Sequence, residues 1–240
     1  MAGKDSSSSD LKRSLGLRHV FVLSTGAMVS SGLFLLPSFA AAKSGPSAVL
    51  AYLIAGILAI PAMFSVAELS TAMPRAGGSY YFLARALGPV GGTVTGVATW
   101  LSLVMKDAFA LVGMSAYLTL IVDLPGKLTA VCLIAFFTLL NIVGSKTSAS
   151  VQMALVAFLL AVMGWYLITG LPKVGGGSGE LDPFFTHGTS GLVSAIGLVF
   201  VSYGGLTKVA SVAEEIEDPS RNIPLGMILS LIVSTTVYTL

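Results

Sequence analysis

The chain has 240 residues, of which 55% are hydrophobic and 10% are charged, and its mean hydropathy is +0.90. So little polar surface excludes a water-soluble globule and predicts that lipid surrounds most of the chain. The net charge of +2 is small and the basic residues are scattered, which excludes nucleic-acid binding.

Few side chains are suited to metal binding or catalysis. The single cysteine, Cys132, leaves no internal disulfide, and the two isolated histidines, His19 and His187, cannot complete a metal site with it. The sequence also lacks a phosphate-binding glycine loop and a clustered nucleophile with its base. We therefore expect a protein that is not an enzyme and that holds no cofactor.

In chain order, the polar stretch of residues 1–16 predicts a disordered cytoplasmic tail. A first apolar run follows over residues 20–42, behind the basic residues Lys12, Arg13 and Arg18. A cleaved signal peptide has the same order, but its apolar region usually has only about 7 to 15 residues. A retained first membrane span is therefore expected.

Six further apolar runs follow, at about residues 47–69, 89–122, 128–143, 149–171, 191–213 and 223–240. A transmembrane helix needs about 20 apolar residues, so the sequence predicts an all-α, polytopic membrane helix bundle with about seven spans. Five spans fall within residues 17–171, an outer loop covers residues 172–190, and two spans fall within residues 191–240. Because the last run reaches Leu240 without a polar flank, we expect the protein to continue beyond it.

The basic residues predict the orientation. With the N-terminus in the cytoplasm, three of them, Lys43, Lys127 and Lys173, fall outside, and nine fall inside. Lys and Arg favour cytoplasmic loops, so the opposite orientation is disfavoured. We expect a multi-pass protein of the cytoplasmic membrane with a cytoplasmic N-terminus. The nine inner residues are Lys4, Lys12, Arg13, Arg18, Arg75, Arg85, Lys146, Lys208 and Arg221.

Two spans have small residues at their middles, Ser30-Ser31-Gly32 in the first and Gly204-Gly205 in the sixth. Glycine loses more backbone entropy than other residues in a helix, and serine offers the backbone competing hydrogen bonds. We therefore expect the first and sixth helices to be discontinuous. The alternative is that these residues only allow close helix packing, as small residues often do in membranes.

An unwound backbone at bilayer depth needs partners, because each unpaired N–H or C=O group costs several kcal/mol in lipid. A ligand with a carboxylate and an ammonium supplies both kinds. The second half of the first span, beginning near Leu33, would direct N–H groups and a positive dipole end at the anion. Two breaks five spans apart also match a five-helix repeat in inverted topology, with the site between the repeats.

Three stretches carry a resemblance to a known family. They read GAMVSSGLFLLP from Gly26, AELSTAMPRAGGSYYFLARALGP from Ala67 and FVSYGGLTKVASVAEEIEDPSRNIPLGM from Phe200. Together they resemble the amino acid, polyamine and organocation (APC) transporter superfamily. The resemblance implies a core of five plus five helices in inverted repeat, of which this chain would hold the first repeat and the first two helices of the second.

The resemblance also implies a binding site. Backbone N–H groups around Ser31 and Gly32 would bind the substrate carboxylate, carbonyl groups would bind its ammonium, and Tyr203 would act as an aromatic gate. The carbonyl groups would be those near Met28 and around Val201, Ser202 and Gly204. The implied substrate-binding residues are Met28, Ser30, Ser31, Gly32, Val201, Ser202, Tyr203, Gly204 and Gly205.

The sequence departs from the family pattern in two places. The usual Gly-Ser-Gly triplet reads Ser30-Ser31-Gly32, which adds a hydroxyl and narrows access to the backbone. Where members that carry basic substrates often have an acid after the sixth-span break, this chain has Thr207, followed by Lys208. A cationic side chain would lack a partner there, so neutral amino acids are expected rather than arginine, lysine or polyamines.

Three charged residues are candidates for energy coupling, because a charge at bilayer depth is costly and commonly functional. Lys106 and Asp107 lie near the centre of the third span, and Lys208 follows the sixth-span break. Asp107 would carry a proton, or Lys106 would replace a bound cation. The alternative is that Lys106 and Asp107 are a mutually neutralising structural pair or lie at the membrane interface.

The sequence therefore predicts secondary active transport of amino acids or related organic amines by alternating access in the lipid bilayer. Transport would be coupled to a proton or another ion, or would proceed by exchange. The alternative is a membrane amino-acid sensor or binding subunit that uses the same site without transport.

Overall fold

The computed structural model describes residues 13–75, 77–122, 125–143, 145–174 and 183–239. This part of the chain is built of helices and turns, which confirms the predicted all-α, polytopic membrane bundle. The α-helices within it are α1 (Leu17–Phe34), α2 (Leu36–Ser44), α3 (Ala48–Ala72), α4 (Ser79–Thr119), α5 (Gly126–Val143), α6 (Ser145–Val174), α7 (Gly188–Tyr203), α8 (Lys208–Ser211) and α9 (Pro219–Thr239).

Five helical segments of the described chain are long and apolar enough to cross a membrane. The predicted first and fourth spans are not among them. The first is divided between α1 and α2, and the fourth is the shorter apolar helix Gly126–Ile142. The five segments are Leu36–Ala72, Ser79–Thr119, Ser150–Gly170, Gly188–Ser211 and Pro219–Thr239.

The first predicted span is interrupted later than the sequence suggests. The α1 helix continues through Ser30-Ser31-Gly32 and ends at Phe34, and α2 begins after a turn at Leu35. Pro37 explains this position, because proline has no N–H to bond the carbonyl four residues earlier, that of Leu33. The predicted break at residues 30–32 is therefore wrong by a few residues.

The sixth predicted span is interrupted at the expected residues. The α7 helix ends at Tyr203, a 3-10 segment covers Gly204–Thr207, and α8 follows from Lys208. Short 3-10 stretches within a helix often mark strained or functional positions. The predicted discontinuity at Gly204-Gly205 is confirmed.

Helices α1, α3, α7 and α9 form the centre of the bundle. The α3 helix contributes a stripe of buried alanines at four-residue spacing, Ala51, Ala55 and Ala59. Residues four apart share one face of a helix, and small side chains on that face let neighbouring helices approach closely. The remaining long helices lie around this centre, with α4 and α6 in contact with α1, and α5 between α4 and α6.

The third predicted span is preceded by a short helix, which is part of α4. Within α4, Gly88 has φ 81° and ψ 179°, so the helix is broken just before Pro89. This conformation favours glycine, which lacks the Cβ that would clash. The third span therefore begins at Pro89, as predicted, and the residues from Ser79 form a separate short helix.

The segment before α1 pairs with the segment after α8. The backbone N–H groups of Ser14 and Leu15 donate to the carbonyl of Glu215, each at 3.0 Å, and the N–H of Glu217 donates to the carbonyl of Leu15 at 3.0 Å. Leu15 is thus ordered, while residues 1–12 of the predicted tail lie outside the described residues, as do residues 175–182 of the predicted outer loop.

Candidate functional site

The two interrupted spans meet at the centre of the bundle. A Cβ atom at Gly205 would lie 2.5 Å from the carbonyl carbon of Ala27 and 2.8 Å from its oxygen, and it would also overlap the N–H of Met28. Real Cβ atoms essentially never approach other atoms within 3.0 Å. Only glycine therefore allows the 3-10 segment of the sixth span to touch the backbone of α1.

Gly32 creates a second close approach between the same two spans. A Cβ atom at Gly32 would lie 2.7 Å from Ser202 Cβ and 2.9 Å from Ser202 Oγ, and it would overlap the hydroxyl of Tyr238. Gly32 and Ser202 are both buried. The missing side chain at Gly32 thus leaves space beside α1 for two hydroxyl groups.

Side chains from three other helices donate hydrogen bonds to α1 carbonyl groups around this junction. A carbonyl oxygen has two lone pairs, so it accepts such a donor in addition to a helical N–H. The α1 helix is therefore held through its main chain. The bonds run from Tyr52 Oη in α3 to Gly32 O (2.9 Å), from Tyr238 Oη in α9 to Met28 O (2.6 Å) and from Lys106 Nζ in α4 to Ala27 O (2.7 Å).

Three tyrosines form an aromatic cluster against the junction. The ring centroids of Tyr52 and Tyr238 are 4.9 Å apart, and those of Tyr203 and Tyr238 are 5.6 Å apart with perpendicular planes. Such offset and edge-to-face arrangements are favourable. Tyr203, the predicted gate, is buried and donates to the carbonyl of Tyr52 at 2.9 Å. It therefore lies inside the cluster.

The Ser202 hydroxyl is a buried polar group at the same junction. Its side chain lies near Tyr52, but Oγ completes no hydrogen bond of good geometry within the described part of the chain. Buried hydroxyl groups are nearly always paired. Ser202 therefore adds an available donor and acceptor to the space between the first and sixth spans.

The three predicted coupling residues differ in position. Lys106 is partly buried and reaches α1, whereas the neighbouring Asp107 is exposed. Lys208 is exposed as well. The structure thus brings only Lys106 into direct contact with the junction.

Some predicted site residues lie away from the junction. The Val201 side chain is 56% exposed, and a Cβ atom at Gly204 would meet no atom within 4 Å. Ser30 Oγ lies 3.4 Å from Ala27 O within α1, and Ser31 is described here by its helical backbone alone. The predicted residues that come together are Met28, Gly32, Ser202, Tyr203 and Gly205.

Two residues of the junction were not predicted from the sequence. Tyr52 and Tyr238 lie in spans two and seven, and neither belongs to an interrupted segment. The available signal is that a tyrosine hydroxyl inside an apolar span needs a hydrogen-bond partner. That signal does not identify the partner, which here is a carbonyl of α1.

The side chains considered for metal binding remain apart. Cys132 and His187 are exposed, on α5 and just before α7 respectively. Within the described ranges, no group of three or more His, Cys, Asp or Glu side chains is close enough to hold a metal ion.

Comparison with known proteins gives a family match over residues 15–240, to the family described as "Amino acid permease". The chain is 29% identical to "Cationic amino acid transporter 5" of Arabidopsis thaliana, with 99% of this chain and 44% of that protein covered. It is 29% identical to "Branched-chain amino acid permease BcaP" of Bacillus subtilis (strain 168), with 95% and 53% covered. It is 30% identical to "Cationic amino acid transporter 2, vacuolar" of Arabidopsis thaliana, with 95% and 40% covered. The chain thus spans about half the length of these curated relatives.

Proposed function

The chain belongs to the amino acid permease family, and on this premise we propose that the protein containing it carries amino acids across a membrane by alternating access. The observation that most supports this is the backbone contact between the two interrupted spans at Ala27 and Gly205. In alternating access, a site near the bilayer midplane opens to one side and then to the other. Interrupted helices that meet there supply backbone groups for a zwitterion.

The proposed site binds both ends of an amino acid. The N–H groups around Ser31 and Gly32 bind the carboxylate, and the carbonyl of Met28, with those of residues 201–204, binds the ammonium. Because α1 is helical at these residues, its N–H groups become available when its last turn opens. Pro37 favours this opening. Because proline has no N–H, the carbonyl four residues before it, in the last turn of α1, lacks its helical hydrogen bond.

The direct test is uptake of labelled amino acids into liposomes that hold the full-length permease containing this chain. Stereospecific uptake of neutral L-amino acids is expected, driven by a proton gradient or by exchange with an internal amino acid. Absence of uptake under every gradient would contradict the proposal. Stereospecific binding without flux would instead indicate a sensor or binding subunit.

We propose that neutral amino acids are the preferred substrates. The named relatives include both cationic and branched-chain transporters, so their names do not decide the substrate charge. Within this chain, Thr207 follows the sixth-span break, and its hydroxyl donates to the carbonyl of Gly204 at 2.8 Å. A neutral hydroxyl bound to the backbone offers no charge to a cationic side chain.

A carboxylate at position 207 should shift this preference. Thr207 lies in the 3-10 segment of the sixth span, and an added acid there attracts a cationic substrate. We expect Thr207→Glu to raise the ratio of arginine to leucine uptake by about tenfold, equivalent to about 1.4 kcal/mol. Competition uptake measures this ratio. Thr207→Gln, which has similar size and no charge, is the matched control and should leave the ratio unchanged.

We propose that Lys106, rather than Asp107, takes part in coupling. The Lys106 ammonium contacts the first span, whereas Asp107 is exposed beside it. A lysine that moves between a protonated and a neutral form would hold and release the Ala27 carbonyl.

The relative effects of two substitutions test this assignment. Lys106→Met removes the ammonium but keeps an apolar stem, and we expect proton-driven uptake to fall by at least about tenfold, as for loss of a charged hydrogen bond. Asp107→Asn should reduce uptake much less. A mutually neutralising pair would make the two losses similar, and a proton carrier at Asp107 would reverse their order.

We propose the cytoplasmic membrane as the location, with the N-terminus inside. Support comes from the distribution of nine basic residues on the inner side against three on the outer side. Cysteine labelling of intact cells tests it. A cysteine placed at Lys43 should react with an impermeant reagent, and one placed at Arg85 should not.

A further inference from the structure

The Tyr238 hydroxyl group donates a hydrogen bond to the Met28 carbonyl, which is the group proposed to bind the substrate ammonium. Its Oη lies 2.6 Å from the Met28 oxygen, and both side chains are buried. Tyr238 belongs to α9, so this bond links the seventh predicted span to the first. The Tyr52 and Tyr203 rings flank the Tyr238 ring and fix its direction.

The hydroxyl also occupies space between the two interrupted spans. A Cβ at Gly32 would overlap Tyr238 Oη and would contact Ser202 on the sixth span. Tyr238 Oη therefore lies on the side of α1 that faces the sixth span. An ammonium group that reaches the Met28 carbonyl and the carbonyls of the sixth span together must occupy this same space.

A phenol hydroxyl and an ammonium group are both hydrogen-bond donors to a carbonyl oxygen. Each donates a proton to a carbonyl oxygen at a short distance, and the ammonium forms the stronger bond because it is charged. We infer that the Tyr238 hydroxyl and the substrate ammonium compete for the Met28 carbonyl, so that Tyr238 sets the affinity for amino acids. The inference rests on the proposed function and adds a specificity-determining residue outside the interrupted spans.

Competition makes a prediction opposite to that of a direct contact. If binding must break the Tyr238 bond, then removing the hydroxyl while keeping the ring should strengthen binding. If the hydroxyl instead contacted the substrate, its loss would weaken binding. If the bond only stabilised the bundle, its loss would lower the thermal stability and leave the dissociation constant unchanged.

The test is equilibrium binding and uptake with Tyr238→Phe in the full-length permease, with L-leucine and L-alanine as probes. We expect the Kd for both to fall by about 3- to 10-fold, the range of one net hydrogen bond. Inhibition by 4-methylpentanoate and propanoate, which have the same carbon skeletons without the amino group, should be the same for the variant and the wild type.

A matched control exists in α4, where another tyrosine also binds a carbonyl group of α1. Tyr117 Oη also donates to an α1 carbonyl, that of Phe34, at 2.8 Å, but Tyr117 is exposed and lies outside the junction. Tyr117→Phe therefore removes an equivalent bond to α1 away from the site. Its Kd for L-leucine should stay within about twofold of the wild-type value. That change is smaller than the one expected from the gain or loss of one net hydrogen bond.

A second variant tests the inference independently, in case Tyr238→Phe does not fold. Replacement of Tyr238 by 3-fluorotyrosine keeps the ring and makes the phenol a stronger donor, so the Kd should rise. A Kd that is unchanged or raised in Tyr238→Phe overturns the inference, as does an equal gain for the probes without an amino group. Wild-type uptake separates the two proposals, because its absence contradicts the transport function itself.

Discussion

Replacing Gly205 with valine should abolish transport. The added Cβ would meet the main chain of Ala27 and Met28 rather than a movable side chain, so the first and sixth spans must separate. Overpacking a close contact costs about 1–3 kcal/mol of stability. Displacement of a binding group by about 1 Å reduces activity about 100-fold. We expect uptake of L-leucine to fall by at least that factor, as measured in proteoliposomes.

Another glycine of the same span provides the control. A Cβ at Gly197 in α7 would meet no atom within 4 Å, so Gly197→Ala should transport normally and be as stable as the wild type. Normal uptake by Gly205→Val would show that the two spans need not touch, and the site proposed at their junction would be wrong.

Replacing Gly32 with alanine should have the second largest effect. The added methyl group would overlap the Tyr238 hydroxyl and lie 2.7 Å from Ser202 Cβ. These neighbours are side chains, so they can shift at a cost of about 1–3 kcal/mol. We expect a loss of uptake of about 10- to 100-fold, with a lower melting temperature in detergent.

Ser202 allows this steric explanation to be tested. The double variant Gly32→Ala/Ser202→Gly removes the Ser202 Cβ and Oγ that the new methyl group meets, so it should be more stable than Gly32→Ala alone. Residues in contact commonly show such non-additivity. If the two changes were additive in stability, the loss in Gly32→Ala would have another cause than contact with Ser202.

The sequence was sufficient for features that depend on local composition. Long apolar runs identified the membrane helices, and Gly204-Gly205 marked the sixth-span break, because adjacent glycines weaken a helix wherever they occur. The resemblance drawn from the three stretches that begin at Gly26, Ala67 and Phe200 is confirmed by the family match over residues 15–240. These features need no knowledge of which helices are neighbours.

The first-span break shows where local reasoning fails. Ser30-Ser31-Gly32 was interpreted as a helix breaker, but α1 remains helical there and Gly32 serves close packing against Ser202 and Tyr238. The weak helix propensity of small residues was outweighed by tertiary contacts. Pro37, whose missing N–H acts in any context, determined the position of the break.

The hydrogen bonds to α1 could be identified only from the three-dimensional structure. Lys106 was recognised as unusual because a charge in a span is costly, but its acceptor, Ala27 O, is a main-chain group present at every residue. The same holds for Tyr52 and Tyr238. A side chain that binds a carbonyl leaves no complementary residue type in the sequence, so the partner becomes known only when the helices are placed.

The bonds from α9 to α1 also have a consequence for the time course of biosynthesis. Tyr238 and Met28 are separated by 210 residues, and Ser230 and Phe21 by 209. At a synthesis rate of about 5–20 residues per second, α1 emerges roughly 10 to 40 s before α9. During that interval the carbonyls of α1 lack these donors. We therefore expect a nascent chain stalled before α9 to leave its first helix accessible to protease or to membrane chaperones.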